Sequence, residues 1–289
     1  MNKQEATKKF ELLRDDTIEV LGIKLFRIKA LISFDIVHAG DLGGYVEKAA
    51  NLSQCGNAWV SGNARVFGNA EVSGNAEVFG NAWVSGNAEV FGNAEVCGNA
   101  QVSGNAWVSG DAQVSGDAEV CGNARVSGNA RVSGDAEVSG NAQVSGNAQV
   151  SGDAEVCGNA QVSGDAQVSG NARVFGNARV SGNAQVSGNA QVSGDARVSG
   201  NARVSGNAEV SQTSDYIVFK NTWSSFRWFT YTKSNKMWRV GCFYGTGQEL
   251  IEKAYKDREV SGKNYEAYVN LVHELEKIES DETEMDDGQ

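Results

Sequence analysis

The chain has 289 residues, with 35 glycines, no proline and a formal net charge of −11. No run of about 18 apolar residues is present, so we expect no membrane-spanning helix. The opening residues, MNKQEATKKF, lack the apolar stretch of a signal peptide, and we therefore expect a cytoplasmic protein. An acidic chain without a basic patch repels a nucleic-acid backbone, so direct nucleic-acid binding is not among the expected functions.

The leading segment, residues 1–55, departs from the strict repeat that follows it. Short apolar runs at Lys8–Leu13, Thr17–Leu21 and Ile23–Leu31 predict strands, with a turn at residues 14–16. Tyr45 to Cys55 matches the repeat loosely and predicts a degenerate first coil. Because the end of a stacked sheet is an unpaired strand edge, we expect this small β cap to cover it and to fix the register.

The central segment, residues 56–211, repeats the hexad Gly-Asn/Asp-Ala-x-Val-Ser 26 times without an insertion. Side chains alternate along a strand, so Ala and Val share one face while the variable residue, mainly Glu, Gln, Arg or Trp, takes the other. Glycine followed by Asn or Asp suits a tight corner. The hexad therefore predicts an all-β solenoid of short parallel strands with Val and Ala inside.

The hexad, as in Val60-Ser61-Gly62-Asn63-Ala64-Arg65, resembles the hexapeptide-repeat proteins, with Ser at the second position as a departure. The resemblance implies a left-handed, triangular, parallel β-helix with three hexads per turn. Nearly nine turns at a strand spacing of ~4.8 Å would make a rod roughly 40 Å long. Enzymes of that superfamily are usually trimers, so the resemblance also implies a homo-oligomer, with a trimer favoured.

The trailing segment, residues 212–280, predicts a small α+β unit, followed by an acidic disordered tail at 281–289. We expect Trp223, Trp228 and Trp238 to build its core. Thr246-Gly247-Gln248-Glu249 resembles a capping box and predicts a helix start. The predicted strands are Tyr216–Lys220, Phe226–Thr232 and Met237–Phe243, and the predicted helices run from about 247 to 258 and from about 263 to 279.

Both flanks resemble uncharacterised proteins of bacteria and their phages. The matching residues are Ala39-Gly40-Asp41-Leu42-Gly43-Gly44-Tyr45-Val46-Glu47 before the array and Val240-Gly241-Cys242-Phe243 after it. Some of these proteins carry an acyltransferase label that rests on the repeats alone. In a phage, the resemblance would imply a host or defence protein as the partner.

One local pattern within the array is acidic. Gly-Asp-Ala-Glu-Val occurs at residues 116–120, 134–138 and 152–156, with starts three hexads apart, so the implied coil stacks the three copies. Stacked like charges destabilise a sheet. The strip is either a docking site for a basic partner, a weak divalent-cation site, or a by-product of repeat duplication with solvated charges. The candidate partner-binding residues are Asp117, Glu119, Asp135, Glu137, Asp153 and Glu155.

A second pattern is aromatic and lies in the first third of the array, at positions that point outward. Exposed aromatic clusters usually mark an interface, and self-association is the first interface that we expect. The alternative is that the leading cap or the trailing unit folds over these rings. The candidate interface residues are Trp59, Phe67, Phe79, Trp83, Phe91 and Trp107.

Acyl transfer, which the superfamily suggests, needs a histidine base within hydrogen-bond reach of its substrate. The chain has two histidines, His38 and His273, and neither lies in the array. A zinc site of three imidazoles is not expected either, and we expect no catalytic residue, metal or cofactor. We therefore predict a non-catalytic scaffold or binding protein that presents acidic and aromatic strips to a protein partner. The alternative is an acyltransferase-like enzyme acting at a subunit interface.

Overall fold

The computed structural model describes residues 8–286. The chain begins with an antiparallel hairpin of β1 (Phe10–Val20) and β2 (Ile23–Ala30), and β3 (Leu42–Val46) pairs with β2. The turn that we predicted at residues 14–16 is instead a bulge within β1, because the register between the two strands shifts there. The cap is thus one long hairpin rather than three separate short strands.

Each hexad contributes one two-residue strand, from β4 (Trp59–Val60) to β29 (Glu209–Val210), at the same position in every repeat. Each pairs in parallel with the strands three hexads away, so three hexads make one coil. The largest sheet has 12 strands, the last nine of which belong to the array, and the other two sheets have nine and eight. These sheets are the three faces of a solenoid of close to nine turns, which confirms the predicted parallel β-solenoid.

We name the faces by their first array strands. Face A starts with β5 (Arg65–Val66), face B with β4, and face C with β6 (Glu71–Val72), and each continues with every third strand. The alanines and valines of the hexads are all fully buried and form one continuous core. The remaining strand residue of each hexad points outward, so each face carries one vertical column of variable side chains.

The degenerate first coil is present. Tyr45 pairs with Arg65 at the start of face A, and Leu52 bridges to Val72 on face C. Each of these pairs spans three hexads plus two further residues, so this coil is longer than a regular one. Because a slip by one hexad would preserve the Val, Ala and Gly pattern, this irregular coil helps to fix the register of the array.

The glycines between stacked coils are required by close stacking as well as by backbone geometry. Gly104 has a φ of 69°, and a Cβ atom built on it would lie 2.8 Å from the carbonyl oxygen of Gly122 in the next coil. Where asparagine follows the glycine, its side-chain amide forms a ladder along the corner. Asn87 donates to Asn105 at 2.9 Å, and Asn105 donates to Asn123 at 3.0 Å. Such amide ladders hold successive coils in register.

Hydrogen-bond donors close the leading end of the solenoid, where the first coil leaves carbonyl groups without a preceding coil. The Lys9 ammonium donates to the carbonyls of Ala58 at 2.8 Å and Gly56 at 3.3 Å. The Asn51 amide donates to Ala70 at 2.8 Å and to Gly68 at 3.1 Å. The cap therefore satisfies backbone groups that would otherwise be an unpaired edge.

Hydroxyl acceptors close the trailing end, where the last coil leaves N–H groups without a following coil. The chemistry is the reverse of that at the leading end because all strands run the same way. One backbone N–H per face donates to a side-chain hydroxyl of the trailing segment. The pairs are Arg197 to Thr213 at 3.2 Å, Arg203 to Thr230 at 2.9 Å and Glu209 to Ser234 at 2.8 Å.

The trailing unit is an antiparallel sheet covered by two helices with their own apolar core. Its core includes Phe229, Trp238 and Val269, all of which are buried. The strands are β30 (Tyr216–Lys220), β31 (Trp228–Thr232), β32 (Met237–Val240) and β33 (Phe243–Gly245), and the helices are α1 (Gly247–Asp257) and α2 (Glu259–Asp286).

The trailing elements differ from prediction in two places. A turn at Gly241, with a φ of 59°, divides the third predicted strand into β32 and β33. The last helix begins earlier than expected and continues to Asp286, so it covers most of the predicted acidic tail, while residues 287–289 lie outside the described part. The capping box is confirmed, since Thr246 accepts from the Glu249 N–H and Glu249 accepts from the Thr246 N–H.

Candidate binding faces

The three glutamates of the acidic pattern stand directly above one another on face A. Glu119 pairs in register with Glu137, and Glu137 pairs with Glu155. They occupy the outward positions of β14, β17 and β20, at a strand spacing of about 4.8 Å. The first two are exposed and the third is half-buried. We call these three residues, together with Asp117, Asp135 and Asp153, the acidic column.

The three aspartates lie on the corner that leads into face A, and all are exposed. The Asn99 amide donates to Asp117 at 2.7 Å. An ionised carboxylate accepts hydrogen bonds but cannot donate one, so the amide ladder cannot continue through the aspartates. It resumes where Asn171 donates to Asn189 at 3.2 Å. The aspartates therefore lack the side-chain amide hydrogen bonds between coils that asparagines at the same positions would donate.

Charge in the column is neutralised at one end. The Arg173 guanidinium donates to Glu155 at 2.7 and 3.2 Å, and this bond lowers the pKa of Glu155. Glu119 accepts only a long 3.5 Å bond from the Gln101 amide. Within residues 8–281, neither Glu119 nor Glu137 forms an ion pair. Two glutamates and three aspartates therefore remain as uncompensated negative charge.

The carboxylates of the column affect the pKa values of two neighbouring thiols, Cys121 and Cys157. Burial raises the pKa of Cys121, and the nearby carboxylates of Glu137 and Glu119 raise it further. Burial likewise raises the pKa of Cys157 to about 11, and its thiol also donates to Glu155 at 3.2 Å. Both cysteines are free and stay protonated near neutral pH. Cys157 is a hydrogen-bond donor here, and neither cysteine is a reactive thiolate.

The leading cap covers two of the six candidate interface aromatics. Trp59 is buried against Phe34, with the ring centroids 5.5 Å apart. Phe67 is buried in a cluster with Leu25 and Tyr45 of the hairpin region. For these two rings, the structure matches the alternative in which the cap folds over the array, and neither offers a free surface.

The other four aromatics remain at least partly accessible. Phe79, Trp83 and Phe91 are half-buried, and Trp107 is 39% exposed. Phe91 packs edge-on against Trp107 at 6.2 Å, and the Arg125 guanidinium lies 4.8 Å from the Trp107 ring. Arg125 and Trp107 therefore form a cation–π pair on face C.

The two histidines lie on opposite flanks. The His38 imidazole is largely exposed and lies 3.7 Å from the Asp41 carboxylate. His273 is on α2, in a surface cleft with Lys233, Lys236 and Glu276. Neither histidine lies on the array.

The trailing unit exposes aromatics that sequence reasoning assigned to its core. Trp223 is 78% exposed, Phe226 is 70% exposed and Trp228 is at the boundary of exposure, whereas Trp238 is buried as predicted. Phe226 has a positive φ of 53°, which is unusual for a bulky residue. The strand that we predicted at Phe226–Thr232 begins only at Trp228, and the neighbouring serines and asparagine were a signal for the loop at residues 221–227.

Comparison with protein families finds a match in the array to the YdcK beta solenoid repeat. The array is therefore similar to that repeat, in agreement with the observed fold. No curated protein matches the chain. In the described part of the chain, neither helix combines the length and apolar character needed to cross a membrane. The matched windows are residues 100–116, 118–134, 124–140, 166–182, 172–188, 178–194, 190–206 and 196–212.

Proposed function

We propose that the protein is a non-catalytic β-solenoid scaffold that binds a basic segment of a partner protein on its acidic column. The observation that carries the proposal is the register of Glu119, Glu137 and Glu155, which stacks three carboxylates on one face. The interior of the hexads is constant, so the outward columns are the part of the array whose chemistry varies. The resemblance of the flanks to bacterial and phage proteins extends the proposal to a host protein as partner.

The column matches a basic segment in charge and in spacing. Carboxylates repeat about every 4.8 Å along the solenoid, and each aspartate lies on the corner two residues before a glutamate. Arginine is the favoured partner because its planar fork binds a carboxylate through two parallel hydrogen bonds. Binding would also relieve the repulsion between stacked carboxylates. The self-repulsion that destabilises the free protein thus becomes a source of affinity.

A fluorescent arginine-rich peptide, titrated against the full chain by fluorescence anisotropy, tests this function. We predict that replacing Glu119, Glu137 and Glu155 with Gln weakens binding about 3- to 150-fold, since each exposed ion pair contributes about 0.2–1 kcal/mol and three are lost. The fold should persist, because glutamine already occupies equivalent outward positions such as Gln101.

A matched control separates the column from net charge. Replacing Glu77, Glu89 and Glu209 with Gln removes the same three charges from three different columns. We expect this variant to bind the peptide within about twofold of the wild type, because it leaves the acidic column intact. Equal weakening by both variants would mean general electrostatic attraction, and no weakening by the first would remove the column from any binding role.

A further inference from the structure

Face C carries an ordered charge pattern that the proposed function does not use. Its outward column begins with two acidic residues and ends with two basic residues, with an indole, an arginine and two amides between them. Six of the eight side chains are exposed and the other two are half-buried. From the leading to the trailing end, the residues are Glu71, Glu89, Trp107, Arg125, Gln143, Gln161, Arg179 and Arg197.

Like charges are neighbours at both ends of this column. Glu71 pairs in register with Glu89, and Arg179 pairs in register with Arg197. None of these four forms an ion pair within residues 8–281. Like charges directly opposite each other destabilise a sheet. Face C is therefore left with two uncompensated pairs of opposite sign at its two ends.

We propose that face C is the contact surface of an antiparallel homodimer. The two-fold axis lies in the contact plane along the strand direction, between β15 (Arg125–Val126) and β18 (Gln143–Val144). This operation places Glu71 opposite Arg197 of the second copy and Glu89 opposite Arg179 of the second copy. Each of these contacts occurs twice, so the dimer contains four ion pairs. Trp107 faces an amide, Gln161 of the second copy, and no like charges meet.

Other arrangements of face C are less favourable. Parallel solenoids related by a two-fold axis along the rod would set each residue against its own copy, Glu71 against Glu71 and Arg197 against Arg197. Sliding the antiparallel copies by one coil leaves two ion pairs, and in one direction it sets Arg125 against Arg125. The charge order thus selects one register and rejects its neighbours.

The remaining faces do not offer the same surface. An antiparallel copy on face A would bring the glutamates of the acidic column against one another. Face B is overhung at its leading end, where Phe34 covers Trp59, and at its trailing end, where Arg203 donates to the Gly241 carbonyl at 3.1 Å. Face C leaves the acidic column of face A open, so the dimer and partner binding are separate properties.

The expected affinity is modest. Eight strands at ~4.8 Å span about 34 Å. A face of this length and about 15 Å wide buries on the order of 1,000 Å² across both copies, which is the lower end of specific interfaces. We therefore expect a dissociation constant in the micromolar range that rises with salt, because the ion pairs are close to solvent.

Charge reversal tests whether the face C charges hold the dimer together, by sedimentation equilibrium of the full chain. One variant carries Glu71→Arg and Glu89→Arg, and the other carries Arg179→Glu and Arg197→Glu. Each faces itself with like charges, so we expect its self-dissociation constant to rise about 100-fold. An equimolar mixture restores all four ion pairs between unlike copies, so the mixture should dimerise with an affinity close to that of the wild type.

The outcomes separate the dimer from its alternatives. A control with Glu119→Arg and Glu137→Arg changes the same charge on face A and should leave dimerisation unchanged. Circular dichroism confirms that each variant is folded. The proposal fails if the wild type is monomeric up to about 1 mM or is a trimer. It also fails if either reversed variant dimerises alone, or if the folded variants do not dimerise when mixed.

Discussion

At the scale of one residue, Glu137 shows the electrostatic penalty of stacking like charges in an outward column. It lies between Glu119 and Glu155 in the same sheet, and Arg173 reaches only Glu155. Its backbone makes the same ladder bond as the hexads of the neighbouring coils, with its N–H donating to the Ala154 carbonyl at 2.9 Å. The penalty at this position is therefore electrostatic rather than a loss of backbone pairing.

Replacing Glu137 with Gln should raise stability. The substitution removes two like-charge contacts, each worth a few tenths of a kcal/mol, so we expect the free energy of unfolding to increase by about 0.2–1 kcal/mol. The midpoint of urea unfolding measures this change. Glu209→Gln is the control, because its neighbour in the column is Gln191 and no like charge is relieved. Equal effects of the two substitutions would show that the column is not self-repelling.

At the scale of one element, the backbone groups left unpaired at the two ends of the solenoid must be satisfied by the flanking segments. Lys9 precedes β1 and is 1% exposed, and its ammonium also lies 5.1 Å from the Phe34 ring. A buried lysine is uncommon and requires compensation. Here the two carbonyls of the first coil and the aromatic ring provide it, so one side chain closes the leading edge of face B.

Replacing Lys9 with Met should destabilise the protein. The change keeps most of the apolar stem but leaves the carbonyls of Gly56 and Ala58 without their donor, a loss of about 1–3 kcal/mol. Thermal unfolding followed by circular dichroism measures it. The neighbouring exposed residue supplies a control, since Lys8→Met should change stability by less than about 0.5 kcal/mol. A Lys9 effect no larger than this control would mean that the edge is satisfied in another way.

The same lysine predicts a pH dependence. Burial lowers the pKa of Lys9 to about 8, whereas an unfolded lysine titrates near 10.4. Between these values the unfolded chain binds more protons than the folded chain, so stability increases with pH. The free energy of unfolding of the wild type relative to Lys9→Met should therefore be flat below pH 7 and rise from about pH 8 to about pH 10. A decrease over that range would contradict burial of the ammonium.

At the scale of the whole molecule, periodicity made the array predictable. The hexad determines strand, corner and interior, and the coil of three hexads then places every outward residue in a column. Contacts between the array and the non-repeating segments could not be predicted from the repeat. Trp59 occupies the same phase as Glu77, so the period places it outward, and only the packing of Phe34 shows that it is covered.

The flanks were predicted less completely for the same reason. Residues 14–16 carry turn-forming side chains, but pairing with β2 continues on both sides of them and makes a bulge. The aromatic content around Trp223 indicated a core, whereas the fold buries Trp238 and leaves Trp223 in an exposed loop. The end-capping roles of Lys9 and Thr230 depend on where the chain returns to the solenoid, which local patterns do not encode.

Because the solenoid is a regular lattice, the three stacked glutamates of the acidic column can be rebuilt elsewhere, and this tests the proposed function most directly. Starting from the chain with Gln at 119, 137 and 155, a second column is made by Arg131→Glu, Gln149→Glu and Gln167→Glu, three exposed neighbours on face B. Binding of the arginine-rich peptide is measured by fluorescence anisotropy. We predict that the first change weakens binding about 3- to 150-fold and that the rebuilt column restores most of the affinity. Unchanged binding after the first change, or no recovery in a folded rebuilt variant, would contradict the claim that a stacked column of carboxylates is the binding site.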